Sequence, residues 1–354
     1  MGTIQRYAWG SRFSIPALVG APPDGTTQAE LWLGTHPSAP STFDDGSPLL
    51  NALDVPLPYL LKVLAAETPL SIQVHPNQTQ AAAGFAREND LGTALTDSTR
   101  TYKDPNHKPE ILCALGDFWA LCGFRPMVDL AALLTELNLD HPLNADSTSD
   151  DVRAYVAHLF ALPRDEQRQL SEKVEFGGVG LIGDRATTGE WLVRLAIHYP
   201  GDIGVVIAAM LNLVHLHEGE AIYLDAGNMH AYLLGTGVEL MAASDNVVRG
   251  GLTPKHIDTD ELVRILDTRP LADPILWPID ETGGWQIYKT PAPDFTLRVA
   301  HVNDSISWTA SSPEIVLCML GGFDGLPQGH AAYIAAGETV TLTTLTPSVI
   351  YRAS

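Results

Sequence analysis

Cysteine is nearly absent from this 354-residue chain: there are three, Cys113, Cys122 and Cys318, and no CxxC pair. That excludes a disulfide framework and the paired-cysteine metal sites, and it fits a reducing, cytoplasmic compartment. Basic residues are also scarce. Lys and Arg number 21 against 42 Asp and Glu, a formal charge of −21. A field of that sign repels polyphosphate and anionic lipid, so nucleic acid and membrane surfaces are not expected partners. No long hydrophobic run occurs. The longest, residues 204–216, carries Asn212 and His215 and falls short of the about 20 residues a bilayer needs. The N-terminal decapeptide MGTIQRYAWG has no apolar leader core, and Arg6 breaks the myristoylation pattern. A soluble protein of about two to three domains is expected.

What is present divides into three textures. Up to about residue 126 the chain is rich in Pro and Gly, with strand-length apolar runs at 59–64 (YLLKVL) and 70–75 (LSIQVH). Residues 127–216 read as helical, with apolar spacing at 129–137 (Asp129 as the cap), 150–160, 191–198 and 204–213. From 217 onward short strand-like segments return, including the Thr-rich 338–344. The expected class is therefore mainly β with an α insertion, rather than alternating βαβ units. An internal echo supports two β units: GEAIYLDAG at 219–227 resembles GHAAYIAAG at 329–337. Three residues after the closing glycine stands His230 in the first copy and Val340 in the second. Only the first offers a metal ligand there.

Four segments carry chemistry. If 71–75 is a strand, Ser71, Gln73 and His75 share one face and Ile72 and Val74 the other, as expected where a strand lines a wet pocket. A surface strand alternates in the same way. In NHKPE at 106–110, Pro109 forces an extended approach, and Lys108 and Glu110 then share a face; a surface ion pair gives the same pattern. In GNMHAY at 227–232, a Gly turn delivers His230 and Tyr232 to one face. The spacing Gly219-x5-Asp225-x-Gly227-x2-His230 resembles the second motif of cupin barrels, with Asp225 in place of the usual Pro. In 237–251, Glu239 heads the run, and Arg249 precedes two glycines that let a loop fold over a site; its fork suits a phosphate or an enediolate oxygen. Gln73, His75, Glu110 and His230 together make a plausible metal shell. Two imidazoles and a carboxylate suit zinc, although an amide oxygen is an unusual fourth ligand.

The joint pattern resembles the type I mannose-6-phosphate isomerase (phosphomannose isomerase) family of the cupin superfamily. It is carried in order by YAWGS at 7–11, AELWLGTHP at 29–37, LKVL at 61–64, SIQVHP at 71–76, HKPE at 107–110, GNMHAY at 227–232 and SDNVVR at 244–249. The last ~100 residues match only in being β-rich. Arg6 before Tyr7, and Gly250 where Ala is usual, depart from the pattern without touching the shell.

The resemblance implies one zinc ion per chain on Gln73, His75, Glu110 and His230, with Arg249 catalytic. It implies Ser71, Lys62 and Lys108 against the sugar phosphate, and His107, Tyr232 and Glu239 in the active site. Glu239 and His107 are both possible bases, and Lys108 belongs with the catalytic group as well. The implied fold is two cupin-type jelly rolls plus a helical domain: residues 1–126 with 217–270 catalytic, 127–216 helical, and 271–354 a metal-free jelly roll. The implied reaction is zinc-dependent aldose–ketose isomerisation of D-mannose 6-phosphate and D-fructose 6-phosphate through a cis-enediol, within carbohydrate metabolism and GDP-mannose biosynthesis. A cytoplasmic monomer acting on a small sugar phosphate is expected. An iron oxygenase of the same superfamily and a non-catalytic sugar-phosphate sensor are the competing readings.

Overall fold

The computed structural model describes residues 2–344 and 346–354. The chain opens with β1 (Thr3–Gln5), α1 (Ser14–Leu18), β2 (Glu30–Gly34), β3 (Tyr59–Ala66), β4 (Ile72–Val74), α2 (Gln78–Asp90), β5 (Glu110–Ala114) and β6 (Phe118–Phe124). Five helices follow: α3 (Met127–Glu136), α4 (Ser149–Ala161), α5 (Arg164–Val179), α6 (Ala186–His198) and α7 (Gly204–Met210). Strands return as β7 (Leu211–Leu216), β8 (Ala221–Leu224), β9 (His230–Ala242) and β10 (Val248–Gly251), then α8 (Thr259–Ile265). The C-terminal part is β11 (Ile275–Leu276), β12 (Ile279–Asp280), β13 (Gln286–Tyr288), β14 (Leu297–Val302), β15 (Ser305–Thr309), β16 (Glu314–Leu320), β17 (Gly322–Phe323), β18 (Leu326–Pro327), β19 (Ala331–Ile334), β20 (Thr339–Thr343) and β21 (Ser348–Ala353). The mainly-β reading with helices between strands holds.

β9 organises the first β region. Its second half pairs antiparallel with β3 and β5, and its first half with β6 and, through His230, with β4. The strand turns from one set of partners to the other at Gly235, where a Cβ would meet the Phe118 ring at 2.6 Å. Tyr232 and Glu239 are seven residues apart, an odd spacing that a flat strand would put on opposite faces. The bend brings them together.

β3 shows why a strand can be apolar along its whole length. All eight of its residues are buried. Leu61, Val63 and Ala65 pack outward, in one cluster with Leu297, Val299, Leu317 and Tyr351 of the C-terminal sheet. The opposite face carries Leu60, Lys62, Leu64 and Ala66, directed into the first region. The C-terminal sheet runs β12-β13-β14-β21-β16-β19, with β15 pairing β20 beside it. It has its own inner cluster around Trp285, Trp308, Val316 and Ile350.

Several local expectations change. The helix read across 204–213 ends at Met210, and Leu211–Leu216 is a strand paired with β6. There the Asn212 amide donates to the carbonyls of Cys122, Phe124 and Leu271, contacts that a local apolar pattern does not record. Asp129 lies in the first turn of α3 rather than at its cap, which is Pro126, and pairs with Arg125 and Arg185. Helices α2 and α5 give no signal in the sequence, because few of their residues are apolar. α2 starts instead on a capping box in which Asn77 and Gln80 satisfy each other's backbone amides, worth ~1 kcal/mol.

Candidate functional site

β4, β5, β9 and β10 deliver their side chains into one cavity of about 750 Å³. Gln73 of β4 sits opposite His230 of β9 on one side and Arg249 of β10 on the other. Arg249 thus lies on a strand edge beside Gln73 rather than in the loop its glycines suggest. Glu110 opens β5, one residue after Pro109 ends the extended approach.

These residues form a compact buried centre. His75 Nε2 stands 3.4 Å from Glu110 Oε1, and His230 Nε2 is 3.6 Å from Glu110 Oε2. The two imidazole rings are 5.1 Å apart. His75 Nδ1 meets the Asn246 carbonyl at 2.8 Å, and His230 Nδ1 meets the Asn228 carbonyl at 3.0 Å. Each carbonyl accepts a hydrogen bond from Nδ1–H, which leaves the Nε2 lone pair facing inward. Among the described residues, His75 Nε2 is buried with no hydrogen-bond partner, which a buried polar atom does not normally tolerate. A tetrahedral ion with bonds of ~2.0–2.1 Å spaces its donors about 3.3 Å apart, close to the separations here. The residues fit a divalent metal, and His75, Glu110 and His230 converge as one such group.

A second buried cluster adjoins the first. Lys62 Nζ lies 3.0 Å from Glu239 Oε2 and 3.4 Å from Glu30 Oε1. The register produces this: Trp32, Lys62 and Glu239 are successive cross-strand neighbours on β2, β3 and β9. The Trp32 indole N–H donates to Glu30 at 2.8 Å, and the Tyr232 hydroxyl donates to Glu239 Oε1 at 2.9 Å. Lys108 Nζ lies 3.0 Å from Glu110 Oε1. Both partners are buried, so this is not the surface pair that the local sequence also allows.

Burial and neighbouring charge set the protonation states. Burial pushes the His75 pKa down to about 4, against the pull of Glu110, so the ring is neutral. Burial alone would raise Glu110, but the Lys108 ammonium leads the effects that outweigh it and hold this carboxyl well below its usual range. Glu239 is shifted the other way: burial raises it, Lys62 opposes, and Glu110 and Glu30 add to the rise. Burial would lower Lys62, yet Glu239, Glu30 and Glu110 keep it firmly protonated. Desolvation lowers Arg249, which remains a cation and has no ion-pair partner among the described residues.

Of the expected site residues, Lys62, Ser71, Gln73, Lys108, Glu110, His230, Tyr232, Glu239 and Arg249 all line the cavity, with His75 directly behind them. His107 does not. Its Nε2 pairs at 2.8 Å with Asp294, from the C-terminal part of the chain. Sequence reasoning missed Glu30, Trp32, Asn246, Lys255 and the α6-end residues His198 and Tyr199. All but Asn246 line the cavity. The alternation in residues 30–34 could have flagged Glu30 with Trp32; the others leave no periodic signal.

Comparison with known proteins gives one answer. The family profile described as phosphomannose isomerase type I, catalytic domain, matches residues 47–127. The chain is 33% identical to mannose-6-phosphate isomerase of Escherichia coli K12, covering 96% of this chain and 95% of that one. It is 32% identical to the Homo sapiens enzyme of the same name, over 99% and 96%. A solved structure of the Salmonella typhimurium enzyme, bound to its substrate and zinc, superposes with a TM-score of 0.87 at 29% identity, covering 100% of this chain and 97% of that one. With identity at this level along nearly its whole length, the chain is an enzyme of the type I mannose-6-phosphate isomerase (phosphomannose isomerase) family.

Proposed function

We propose that this chain interconverts D-mannose 6-phosphate and D-fructose 6-phosphate, with one zinc ion held by Gln73, His75, Glu110 and His230. The observation that carries the reading is the orphaned Nε2 of His75 beside Glu110 and His230, two residues that line the cavity together with Arg249. When bound, zinc supplies Lewis-acid polarisation of the sugar oxygens. Charge supports the substrate class. Glu30, Glu110 and Glu239 against Lys62 and Lys108 give 2 − 3 = −1 in the buried cluster. A divalent ion turns that to +1, and Arg249 and Lys255 add to it. An acidic protein thereby presents a locally positive pocket to a phosphate dianion.

Glu239 is the base in this reading. It lines the cavity, whereas His107 is turned to Asp294. Its raised pKa brings it toward the operating pH, as proton transfer in both directions requires. Its carboxylate takes the proton from C2 of the open-chain aldose as O1 gains one. Returning a proton to C1 as O2 loses one completes the ketose through a cis-enediol. Tyr232 and Lys62 orient the carboxylate, and Arg249 supports the oxyanion that develops. Lys62 and Lys108 are already engaged with carboxylates, so they face the sugar hydroxyls. Lys255, Ser71 and Thr253, which also lines the cavity, take the phosphate and fix the substrate's register.

In the domain organisation that accompanies this reading, residues 1–126 and 211–270 form the catalytic cupin barrel and 127–210 the helical insertion. Residues 271–354 form a metal-free jelly roll, apart from β11, which pairs with β8 of the first sheet. The boundary at 210 replaces 216 because β7 belongs to the β6 sheet. The site is complete within one chain, which suits a monomer, and three free thiols suit the cytoplasm.

The test is conversion of mannose 6-phosphate before chelation, after it, and after zinc is restored. Activity lost and regained supports the reading. Activity that survives exhaustive chelation removes the metal shell, and zinc bound without turnover points to a sugar-phosphate sensor.

A further inference from the structure

A second group of metal-ligating side chains lies outside the cavity, where β6 begins and β7 ends. The ladder pairs Phe118 with Leu216 and Trp119 with His215. Asp117 therefore falls opposite His217, and all four of Asp117, Trp119, His215 and His217 share one face of the ribbon. His215 Nε2 is hydrogen-bonded to Asp117 Oδ1 at 2.9 Å, a contact a bound ion would replace, and His217 Nδ1 is 3.4 Å from the same oxygen. The two imidazole rings are 4.5 Å apart. The three donor atoms lie within 4.8 Å of one another. These spacings approach the about 3.3 Å of donors on one tetrahedral ion.

The group is held in place. The His215 ring stacks on Trp119 at 4.0 Å with an interplanar angle of 3°, and Trp119 packs on Trp191. The backbone N–H of His217 donates to Glu220 at 2.7 Å, which fixes the turn that presents this ring. Asp117 and His217 are exposed, so the remaining coordination positions open to water. Along β6 the group is five residues from Cys122, the partner of His230. That is roughly 16 Å at 3.3 Å per residue, so it is no part of the buried centre.

We propose that Asp117, His215 and His217 form a second, surface site for a divalent transition-metal ion. Two imidazoles and one carboxylate select a borderline ion such as zinc over magnesium or calcium. This does not depend on the proposed reaction.

The test is equilibrium dialysis of the zinc-loaded protein against Zn²⁺, with bound metal counted by atomic emission, for the wild type and for Asp117→Asn/His217→Ala. The wild type is expected to hold one equivalent more than the double variant, with isomerase activity equal in both. His215→Gln, which keeps a planar group against Trp119, is expected to lose the same equivalent. Equal counts in wild type and variants, whatever the number, overturn the proposal. Because the reading is a difference between proteins, it is independent of whether the buried centre binds zinc.

Discussion

Strands β5 and β16 present the same frame with opposite outcomes. Both open with Glu-Ile, and both place that glutamate, Glu110 or Glu314, in a buried register: Glu110 opposite Leu224 and Glu314 opposite Ile334. Their partner strands β8 and β19 lie between glycines in the left-handed region, at φ +84° and +80° in the first case and +76° and +83° in the second. The sequence echo is thus an echo of structure. Around Glu110 stand two inward-facing imidazoles, one with an unpartnered nitrogen. Around Glu314 both oxygens are taken. Arg352 donates to both oxygens at 2.8 and 2.6 Å, and the Trp308 indole donates at 2.9 Å. The Arg352 guanidinium also lies over Trp285 and Trp308. Each carboxylate has one cation built into the chain, Lys108 at 3.0 Å from Glu110 and Arg352 on Glu314, but only Glu110 also faces two imidazoles.

The largest effect that sharpens this contrast is at Glu110. Glu110→Ala is expected to empty the centre of zinc and lower kcat/KM by about a thousandfold, the equivalent of ~4 kcal/mol. Metal analysis and steady-state kinetics check it together. Full zinc content with low activity would move Glu110 out of the metal shell.

At Glu314 the loss should be one of stability, not of chemistry. Arg352→Met leaves a buried carboxylate unpaired, and the unfolding free energy should fall by about 3–5 kcal/mol. The double change Glu314→Gln/Arg352→Met should recover most of it. Zinc content and turnover of the folded protein should match wild type in both. Loss of zinc on breaking the Glu314 pair would show that the two regions are coupled, against the comparison.

Much of the first region was legible because its chemistry sits on short strands, where alternation assigns faces. A spacing of two put Lys108 with Glu110 and His230 with Tyr232 on common faces, and all four line the cavity with Gln73, while His75 meets Glu110 just behind it. The same rule should have removed His107: next to Lys108 in an extended segment, it must point the other way, and it does so toward Asp294. Asn246 was not legible, because it holds His75 through its backbone carbonyl, which any residue supplies. Lys255 lies in an exposed Thr-Pro-Lys turn with no period to read. Nor did α2 announce itself: its helix rests on a capping box, not an apolar stripe. In the second region the strands were legible, but the Arg352–Glu314 closure joins residues 38 positions apart and carries no local mark.

A smaller effect probes the cluster beside the proposed metal centre, which has no counterpart near Glu314 among the described residues. Glu30 is one cause of the raised Glu239 pKa, after burial and Glu110. Glu30→Gln removes a negative charge, so ionised Glu239 becomes easier to form and its pKa falls. The acid limb of the pH–kcat/KM profile should move to lower pH. Movement to higher pH would show that the limb belongs to another group.

The smallest effect is the most direct trial of the comparison. Val340 stands three residues after Gly337, as His230 does after Gly227. If a missing imidazole alone kept the second region free of metal, Val340→His would add a zinc ion there. The structure argues otherwise. Val340 lies on β20, which pairs with β15 and not with the sheet that carries Glu314. Both Glu314 oxygens already accept from Arg352, whose fixed positive charge opposes a divalent ion at the same carboxylate. Val340→His should bind no zinc beyond the wild-type content, and the change at a half-buried strand position should cost under about 1 kcal/mol. An added equivalent in that variant, lost again in Glu314→Gln/Val340→His, would mean that the arginine closure yields to metal. The two regions would then differ by one side chain rather than by a filled carboxylate.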